Sequence, residues 1–280
     1  MPNSIAIIIP AYNEEKSIGN VIDDIRIVLS GYTYELLVID DGSTDKTGDV
    51  VKSKSVDLFV HPENRGYGAA IKTGVTHAQS DWILILDADG TYPVNAIPEL
   101  LKYIDQYDMV VGARKTIPFS RRFAKWVLVR LANYLAATKI PDLNSGMRII
   151  KKELILEFWS ILPNGFSFTT TITLSLLSNG YFVKYVPIDY HDRIGKSKIQ
   201  PIKHTWDFLI LILRTIIYFN PLRFFLPASI ILILIGLLIG FYSKFVLGRL
   251  MDVSTITCVV TGVEIAILGF LADLLVRRTK

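Results

Sequence analysis

Cysteine is almost absent from this chain of 280 residues, and Cys258 is its single example. One cysteine excludes an intrachain disulfide and fits a reducing compartment. A basic leader is also missing, because no Lys or Arg precedes the apolar run that begins at Ile5, and Pro10 cuts that run short. The start is therefore predicted to be a first β-strand rather than a signal peptide.

A large excess of charge of either sign is lacking too. The chain carries 30 Lys and Arg against 26 Asp and Glu, a formal net charge of +4. No basic and aromatic pattern typical of nucleic-acid binding accompanies it, so no nucleic-acid partner is expected. Hydrophobic residues, in contrast, make up 51% of the chain. This share is high for a soluble enzyme and indicates a membrane part.

From Ile5 to about Tyr190, short β-branched runs alternate with segments of helical period. The segment Ser17–Leu29 places its apolar residues on one face of a helix. The predicted strands are Ile5–Ile9, Leu36–Ile39, Ile83–Leu86 and Met109–Val111. Continuous apolar strands between helices predict an α/β fold whose mostly parallel sheet is covered on both faces. Such sheets bind ligands at the carboxyl ends of their strands.

The C-terminal part of the chain contains a long stretch without charge. It runs over Phe224–Ser243 and is bounded by Arg223 and Lys244. About 20 helical residues span roughly 30 Å, the thickness of the hydrocarbon core. A second candidate span, Val253–Val276, follows after a short link. The two stretches predict a transmembrane hairpin, with two buried helices of a soluble domain as the alternative.

Two carboxylates interrupt the second candidate span. Glu264 lies near its middle, where a carboxyl is costly and indicates function by default. A packing or oligomer role is the preferred interpretation, so a homo-oligomer through the membrane helices is one expectation. Asp273 lies one helical turn before Arg277, and a surface pair is the simpler interpretation there.

The composition divides the chain into a catalytic domain over residues 1–199, interfacial helices over 200–221 and two spans within 222–280. The segment Pro201–Pro221 mixes apolar and basic residues and is interpreted as one or two helices lying in the membrane interface. A surface helix packed on the domain is the alternative. The Lys and Arg residues that flank the spans predict that both termini and the large domain lie in the cytoplasm.

Carboxylates follow three of the predicted strands, in Pro10–Glu15, Asp40–Asp45 and Asp87–Asp89. Turn chemistry, or helix capping by Ser43 or Asp45, accounts for the first two motifs taken singly. Together the three motifs bring negative charge to one edge of one sheet, where it is strongly repulsive. A divalent cation that bridges a diphosphate relieves this repulsion. Strand alternation predicts that the two carboxylates of Asp87–Asp89 point the same way.

A glycine-rich segment, Asn64–Ala70, opens a predicted helix over Ala69–His77. It superficially resembles a dinucleotide-binding loop. However, Ile71 stands where that motif carries its third glycine, and the preceding strand is weak, so a Rossmann dehydrogenase is disfavoured. A glycine-rich helix start beside a nucleotide remains the alternative.

Taken in order, the motifs of this chain closely resemble glycosyltransferase family 2. They are Pro10–Glu15, Asp40–Asp45, Asn64–Ala70, Asp87–Pro93, Val111–Arg114, Asp142–Arg148, Gly165–Phe168 and Arg193–Lys198. Each motif is weak alone, but the ordered set is specific and covers essentially the whole chain. The last three motifs and the C-terminal hairpin are similar to the polyprenyl-phosphate branch, which includes dolichyl-phosphate mannose synthases.

The resemblance implies a GT-A fold and inverting transfer of a sugar from a nucleoside-diphosphate donor, with Mg²⁺ or Mn²⁺. The implied donor-binding residues are Pro10, Tyr12, Glu14, Ile39, Asp41, Asp87, Ala88 and Asp89. Asp89 is the implied main metal ligand, and Thr91 is the second implied metal residue, at the position where related mannose synthases place an amide ligand. The chain also departs from many relatives at Thr169–Thr171, where they carry an acidic residue.

Phosphate contacts are implied for basic residues later in the chain, because the guanidinium fork matches phosphate oxygens. The implied acceptor-phosphate residues are Arg114, Arg193, Ser197 and Lys198. The implied catalytic set is Asp87, Asp89, Arg114 and Arg193.

The sequence thus predicts a membrane enzyme that moves a hexose from a GDP- or UDP-sugar to a polyprenyl or dolichyl monophosphate. A family 2 transferase with a glycan acceptor is the alternative enzyme. A catalytically silent membrane scaffold is the alternative from another class.

Overall fold

The computed structural model describes residues 4–115, 140–191, 217–218, 220–246, 248 and 253–278. The chain divides into two compact units, Met1–Leu209 and Ile210–Lys280. Most of the predicted interfacial segment, and the predicted phosphate-binding residues Arg193, Ser197 and Lys198, lie outside the described residues.

A seven-stranded sheet organises the described part of the first unit, in the order β3-β2-β1-β4-β6-β5-β7. The strands are β1 Ile5–Ala11, β2 Tyr34–Asp40, β3 Asp57–Val60, β4 Trp82–Ile85, β5 Met109–Arg114, β6 Arg148–Lys151 and β7 Val183–Ile188. Strand β6 runs antiparallel to both of its neighbours, and the other pairings are parallel. The predicted α/β fold with a mostly parallel sheet is confirmed.

Helices connect these strands. They are α1 Ile18–Val28, α2 Thr47–Ser53, α3 Tyr67–His77, α4 Ile97–Leu101, α5 Lys152–Glu157 and α6 Phe168–Ser178, with a 3₁₀ turn at Val94–Ala96. Helix α1 confirms the predicted amphipathic segment, since Ile18, Val21, Ile22 and Ile25 are buried as one stripe. Just before α2, the Asp45 carboxylate accepts the N–H of Thr47 at 2.9 Å, but the N-cap residue is Lys46 and no side-chain cap hydrogen bond is formed, so the predicted capping by Ser43 or Asp45 is wrong in detail.

Helices cover both faces of the sheet, as the sidedness of β1 shows. Ile7 and Ile9 belong to the core cluster that includes Ile22 and Ile25 of α1. Ile8 points to the opposite face, where α3 packs so closely that a Cβ on Gly74 would lie 2.5 Å from Ile8 Cγ2. Each such buried aliphatic side chain contributes about 1.5–3 kcal/mol through removal from water.

The direction of β6 decides what reaches the carboxyl edge of the sheet. Its first residue, Arg148, pairs with Ile85 at the end of β4 and with Val111 in β5. Because β6 runs antiparallel to β4 and β5, its first residue lies at the sheet edge where those two strands end. The loop that precedes β6, residues 142–147, therefore lies at this carboxyl edge. The order of strands also places a change of winding direction between β1 and β4, the usual place for a ligand in such sheets.

The second unit contains two antiparallel helices, α7 Leu222–Phe245 and α8 Val253–Arg278. Both are long and apolar enough to cross a membrane. Small residues let them approach closely: a Cβ on Gly262 would lie 2.5 Å from Ile233 Cγ1. The hydroxyl of Ser229 donates a hydrogen bond to the Gly262 carbonyl at 2.7 Å. This packing is typical of helix pairs in membranes.

Candidate active site

The loops that follow β1 and β2 are joined by hydrogen bonds. The N–H of Asn13 donates to Ser43 Oγ at 2.9 Å, and the N–H of Thr44 donates to Asn13 Oδ1 at 2.7 Å. The N–H of Glu14 donates to Thr47 Oγ1 at 2.8 Å. Asn13 adopts a left-handed conformation with φ of 53°, which asparagine tolerates better than most residues. These contacts fix the two loops as one polar wall at the carboxyl edge.

The predicted donor residues on this wall lie close together. Pro10 pairs with Ile39 in the register of β1 and β2, one residue before the strands end. Tyr12 is half-buried beyond β1. The carboxylate of Glu14 accepts a hydrogen bond from Ser17 Oγ at 3.3 Å, which directs it along the start of α1. Their contact with a donor stays a prediction.

Asp41 is buried and already engaged by the protein itself. Its carboxylate accepts the N–H of Arg65 at 2.9 Å and the N–H of Gly66 at 2.8 Å. The ring of His61 makes a third contact, with Nδ1 2.6 Å from Asp41 Oδ1. Asp41 therefore anchors the glycine-rich segment to the end of β2. Its Oδ2 can accept one further hydrogen bond, so the predicted contact of Asp41 with the nucleoside-diphosphate sugar stays a prediction.

The glycine-rich segment Asn64–Ala70 is covered by another part of the chain, the loop that contains Pro163 and Asn164. The N–H of Ala69, at the start of α3, donates to the Asn164 carbonyl at 3.0 Å. A Cβ on Gly68 would lie 2.2 Å from the Pro163 carbonyl, and one on Gly66 would lie 2.6 Å from the Asn164 carbonyl. These glycines are needed because the loop before α6 packs directly on the helix start. The alternative of a phosphate-binding loop here is not supported by these contacts.

Asp87 is the most strongly perturbed acid of the site. It follows β4, and its Oδ1 accepts a hydrogen bond from the Tyr67 hydroxyl at 2.8 Å. Burial, and next the negative charge of Asp89, raise the pKa of Asp87 to about 6. The Tyr67 hydrogen bond and the positive charges of Arg114 and Arg148 act in the opposite direction. Asp87 thus lies in a place that favours a bound cation.

Asp89 is buried next to Thr91, which is completely buried. Its Oδ1 accepts the Thr91 hydroxyl at 2.6 Å and the Thr91 N–H at 3.1 Å. Thr91 therefore orients the Asp89 carboxylate. Since a hydroxyl that donates keeps its oxygen lone pairs, the predicted metal contact of Thr91 stays a prediction.

The predicted strand alternation of these two acids is wrong. Strand β4 ends at Ile85, and Asp87 and Asp89 lie in the turn that follows. The last hydrogen bond of this strand to β1 is donated by the Leu86 N–H to the Ile8 carbonyl at 3.1 Å. Turn geometry, with Gly90 at φ of 73°, rather than pleat geometry brings the two carboxylates together.

The loop before β6 packs against Asp87. A Cβ on Gly146 would lie 2.1 Å from Asp87 Oδ2, so only glycine fits beside this carboxylate. The N–H of Gly146 donates to the Tyr92 hydroxyl at 2.7 Å. Burial, and then the charge of Asp87, raise the pKa of Tyr92 above its ordinary value, so this phenol keeps its proton. Gly146 therefore sets the position of the carboxylate from one side and Tyr67 from the other.

A buried arginine holds this loop in place. Arg148 is fully buried, and its guanidinium donates to the Ser145 carbonyl, to the Thr169 carbonyl at 2.8 Å and to Thr173 Oγ1 at 2.9 Å. These acceptors are neutral, so its charge is left to act on the nearby carboxylates. Two of the acceptors lie on α6, which ties this helix to the site.

Arg114 ends β5 beside the same loop. Its Nε and Nη2 donate to the two oxygens of the Asp142 carboxylate at 2.6 and 2.8 Å, a bidentate pair. The guanidinium also lies 5.3 Å from the ring centroid of Tyr190. The pair fixes the orientation of Arg114 at the edge, and its predicted contact with a phosphate stays a prediction.

The oxygen atoms at the end of β4 are of the kind that binds a hard divalent cation. Asp87 and Asp89 offer carboxylate oxygens, which Mg²⁺ and Mn²⁺ prefer. Across the described parts of the chain, no group of three or more His, Cys, Asp or Glu side chains is placed to hold a metal ion. An ion here would therefore need further oxygens from a ligand or from water. That is the usual arrangement for Mg²⁺ bound with a phosphate substrate.

Several residues of the site were missed by sequence reasoning. Tyr67 and Tyr92 carry no motif of their own, and their contacts cross from one element to another. Gly146 and Arg148 fall inside Asp142–Arg148, a motif that indicates the family resemblance but not the role of these two residues. Gly146 lies two residues before a buried strand, and a glycine at such a place is a sequence signal that another group packs closely against the backbone.

Comparison with known proteins agrees with this geometry. The family described as Glycosyl transferase family 2 matches residues 6–159. A dolichyl-phosphate hexose transferase of Haloferax volcanii is 31% identical over 205 residues, covering 71% of this chain and 88% of that protein. A dolichol-phosphate mannosyltransferase of Pyrococcus furiosus is 28% identical over 214 residues, covering 70% of this chain and 59% of the relative.

Solved structures share the fold. A glucosyl-3-phosphoglycerate synthase from Mycobacterium tuberculosis, crystallised with Mn²⁺, UDP and phosphoglyceric acid, superposes with a TM-score of 0.63. The two chains are 20% identical, and the match covers 76% of this chain and 78% of the other. At this identity the likeness establishes the GT-A type of fold.

Proposed function

The chain belongs to glycosyl transferase family 2, and on that premise we propose that it transfers a hexose from a GDP- or UDP-sugar to a polyprenyl or dolichyl monophosphate. The observation that carries the proposal is the pair of carboxylates at the ligand-binding edge of the sheet, half-buried Asp87 with its raised pKa and buried Asp89. The names of the Haloferax and Pyrococcus relatives, a dolichyl-phosphate hexose transferase and a dolichol-phosphate mannosyltransferase, support a dolichyl-phosphate acceptor.

The donor is proposed to lie across the ends of β1, β2 and β4. The wall formed by Pro10, Tyr12 and Glu14 would contact the nucleoside, and Asp41 would offer its remaining acceptor capacity there. Ile39 would pack behind it, and Ala88 would keep the turn after β4 narrow. Asp89 and Thr91, with Asp87 beside them, would hold Mg²⁺ or Mn²⁺, which would supply positive charge against the diphosphate leaving group.

The reaction is proposed to be a single displacement with inversion. An oxygen of the lipid monophosphate attacks the anomeric carbon of the hexose. The bond between that carbon and the diphosphate oxygen breaks, and the nucleoside diphosphate leaves with the electron pair. A phosphate dianion is already a nucleophile, so positioning and charge neutralisation carry the rate. Arg114, held by Asp142, would orient the acceptor phosphate, together with Arg193, Ser197 and Lys198.

Membrane placement follows from the same proposal. The apolar helices α7 and α8 would anchor the chain in the bilayer that contains the acceptor, and the segment over 200–221 would lie at its surface. Arg223 before the first span and Arg277 after the second support a cytoplasmic catalytic unit and cytoplasmic termini. Self-association through the spans is the remaining partner proposal.

Product formation with a panel of donors tests the proposal. The full chain, purified in detergent, is incubated with Mg²⁺ or Mn²⁺ and labelled UDP- or GDP-hexoses, with and without polyprenyl phosphate. We expect nucleoside diphosphate release and a labelled lipid only when the lipid is present. Asp89→Ala is expected to lose at least about 100-fold in rate, while Asp24→Ala, on the exposed side of α1, keeps it.

Each other outcome favours an alternative. Turnover that needs a glycan and ignores the lipid would favour the family 2 transferase with a glycan acceptor. Absence of turnover with every donor and acceptor, from a folded chain, would favour the scaffold.

A further inference from the structure

Glu264 is the one acid of helix α8 that lies far from both helix ends. It follows Val253 by 11 residues, or about 16 Å at the rise of an α-helix, which is near the middle of a hydrocarbon core roughly 30 Å thick. The side chain is exposed in this structure, and among the described residues none forms a hydrogen bond or an ion pair with it. A carboxyl left in this position would face lipid, which is costly.

Helix α7 does not cover Glu264. The residues of α8 that pack on α7 are on the opposite side: a Cβ on Gly262 would meet Ile233, and one on Gly269 would lie 2.7 Å from Phe225 Cβ. Because an α-helix turns about 100° per residue, positions two and five residues away from 264 point away from it. Among the hydroxyls buried in the hairpin, that of Ser229 donates to the Gly262 carbonyl, whereas those of Ser243 and Thr255 have no hydrogen-bond partner among the described residues. Thr255 lies nine residues before Glu264, about half a turn away around α8, and packs against Gly240 of α7 together with the end of that helix that carries Ser243. Glu264 is therefore not part of the packing between α7 and α8.

Glu264 also belongs to a polar stripe. Thr257 lies two turns before it and is exposed, and Thr261 lies one turn before it and is half-exposed. These spacings place the three side chains on one face of α8. Hydroxyl and carboxyl groups on one face of a membrane helix are typical of contacts between helices.

Given the membrane placement proposed above, we infer that this polar stripe is the contact surface for α8 of a second copy of the chain, with the two Glu264 carboxyls hydrogen-bonded to each other. In a dimer with its two-fold axis along the membrane normal, identical residues lie at the same depth. A carboxyl group that carries its proton both donates and accepts, so the group is its own partner. The segments Phe224–Ser243 and Val253–Val276 contain no Lys or Arg, so the membrane helices of a second copy can pair with Glu264 only through carboxyl or hydroxyl groups such as their own Glu264. A different membrane protein with a polar group at this depth is the competing occupant.

Cross-linking tests the surface directly. Cys258 is the single cysteine of the chain, so a Cys258→Ser background carries no thiol. Thr257→Cys and Leu271→Cys each lie two turns from Glu264 on its face, and both keep Glu264. Phe270→Cys is the matched control, because it is also exposed but lies about a third of a turn away from that face. In native membranes, we expect oxidation to join Thr257→Cys and Leu271→Cys chains and to leave Phe270→Cys chains at least about tenfold less joined.

Two substitutions of Glu264 separate hydrogen bonding from shape. Glu264→Gln keeps a group that donates and accepts, and it should retain the cross-link at Thr257→Cys. Glu264→Leu offers neither, and the dimer is expected to weaken about tenfold, as dilution of labelled chains in vesicles measures by energy transfer. Equal association of Glu264→Leu and the parent chain would overturn the proposal. A parent chain that stays monomeric, or cross-links equally at Phe270→Cys, would also overturn it and leave another protein or a lipid as the occupant.

These outcomes are distinct from failure of the proposed function. Extraction of the chain from membranes by alkaline carbonate would refute the membrane placement itself. A chain that resists extraction and transfers hexose, but shows no pairing through the stripe, would refute only the dimer.

Discussion

Two strand ends of this protein look alike in sequence and differ in structure. After β2 the chain reads Asp40-Asp41-Gly42, and after β4 it reads Asp87-Ala88-Asp89-Gly90. At the end of β2, main-chain N–H groups point at the acids: Ser43 donates to Asp40, and the glycine-rich segment donates to Asp41. At the end of β4, Asp89 accepts the hydroxyl and the N–H of Thr91 at one oxygen, Oδ1, whereas the described hydrogen bond of Asp87 comes from a single phenol and its pKa is raised to about 6.

The difference shows what makes a carboxylate structural or available. Main-chain donors stabilise an ionised acid permanently, whereas burial beside a second acid leaves negative charge to be neutralised from outside. The end of β2 thus serves to hold loops together. The end of β4 is the part of the sheet edge that suits a cation and a diphosphate. Three substitutions sharpen or break this contrast.

Asp41→Ala should act mainly on stability. It removes the two hydrogen bonds that the partly buried N–H groups of Arg65 and Gly66 donate to a charged group, at about 1.5–3 kcal/mol each, so we expect a loss of about 3 kcal/mol. The midpoint of thermal unfolding, followed by tryptophan fluorescence, should fall by about 6–12 °C. Asp24→Ala, on an exposed part of α1, serves as control and should stay within a degree or two. An Asp41→Ala protein that unfolds at the same temperature as the parent would contradict the claim that the acids after β2 stabilise the fold.

Gly146→Ala should act mainly on activity. The new methyl group overlaps Asp87 Oδ2, which must move, and a displacement of about 1 Å in a catalytic group costs about 100-fold in rate. The transfer assay measures this loss. Gly31→Ala is the matched control, because a Cβ there would meet nothing within 4 Å. Unchanged transfer by Gly146→Ala would mean that the position of Asp87 is unimportant.

Tyr67→Phe should have the smallest effect. It removes the hydroxyl that donates to Asp87 and keeps the ring that stacks on Phe166 at a centroid distance of 5.8 Å. Loss of one hydrogen bond to a charged group corresponds to about a tenfold decrease in kcat/KM. Tyr181→Phe removes a comparable hydroxyl from the surface carboxylate of Glu157 and should leave kcat/KM unchanged. If both variants behave alike, Tyr67 does not position Asp87.

Much of the fold could be predicted from the sequence, because local patterns carry it. The four apolar runs form β1, β2, β4 and β5, and the two long apolar stretches form α7 and α8. Strand β6 could not be found this way, since it is only four residues long and contains an arginine. Helix α6 has three consecutive threonines, which favour strands, and tertiary packing makes it a buried helix instead.

The site was predictable in its position but not in its contacts. The motifs place Asp87, Asp89 and Asp41 at one edge correctly. Which acid is saturated by main-chain donors depends on where Gly66 and Gly146 lie in space, and these loops are far away in the chain. The strand ended earlier than the apolar run suggested, because Leu86 makes the last pairing contact and the turn begins at once.

Binding of Mn²⁺ tests the central claim most directly. Mn²⁺ is titrated into the full chain with and without GDP or UDP, and the electron paramagnetic resonance signal of free Mn²⁺ is followed. The account predicts that the nucleoside diphosphate strengthens binding in the parent and in Asp24→Ala, and that Asp89→Ala abolishes this gain while remaining folded. Asp89→Ala that binds Mn²⁺ and nucleotide as tightly as the parent would contradict a metal-diphosphate site at the end of β4.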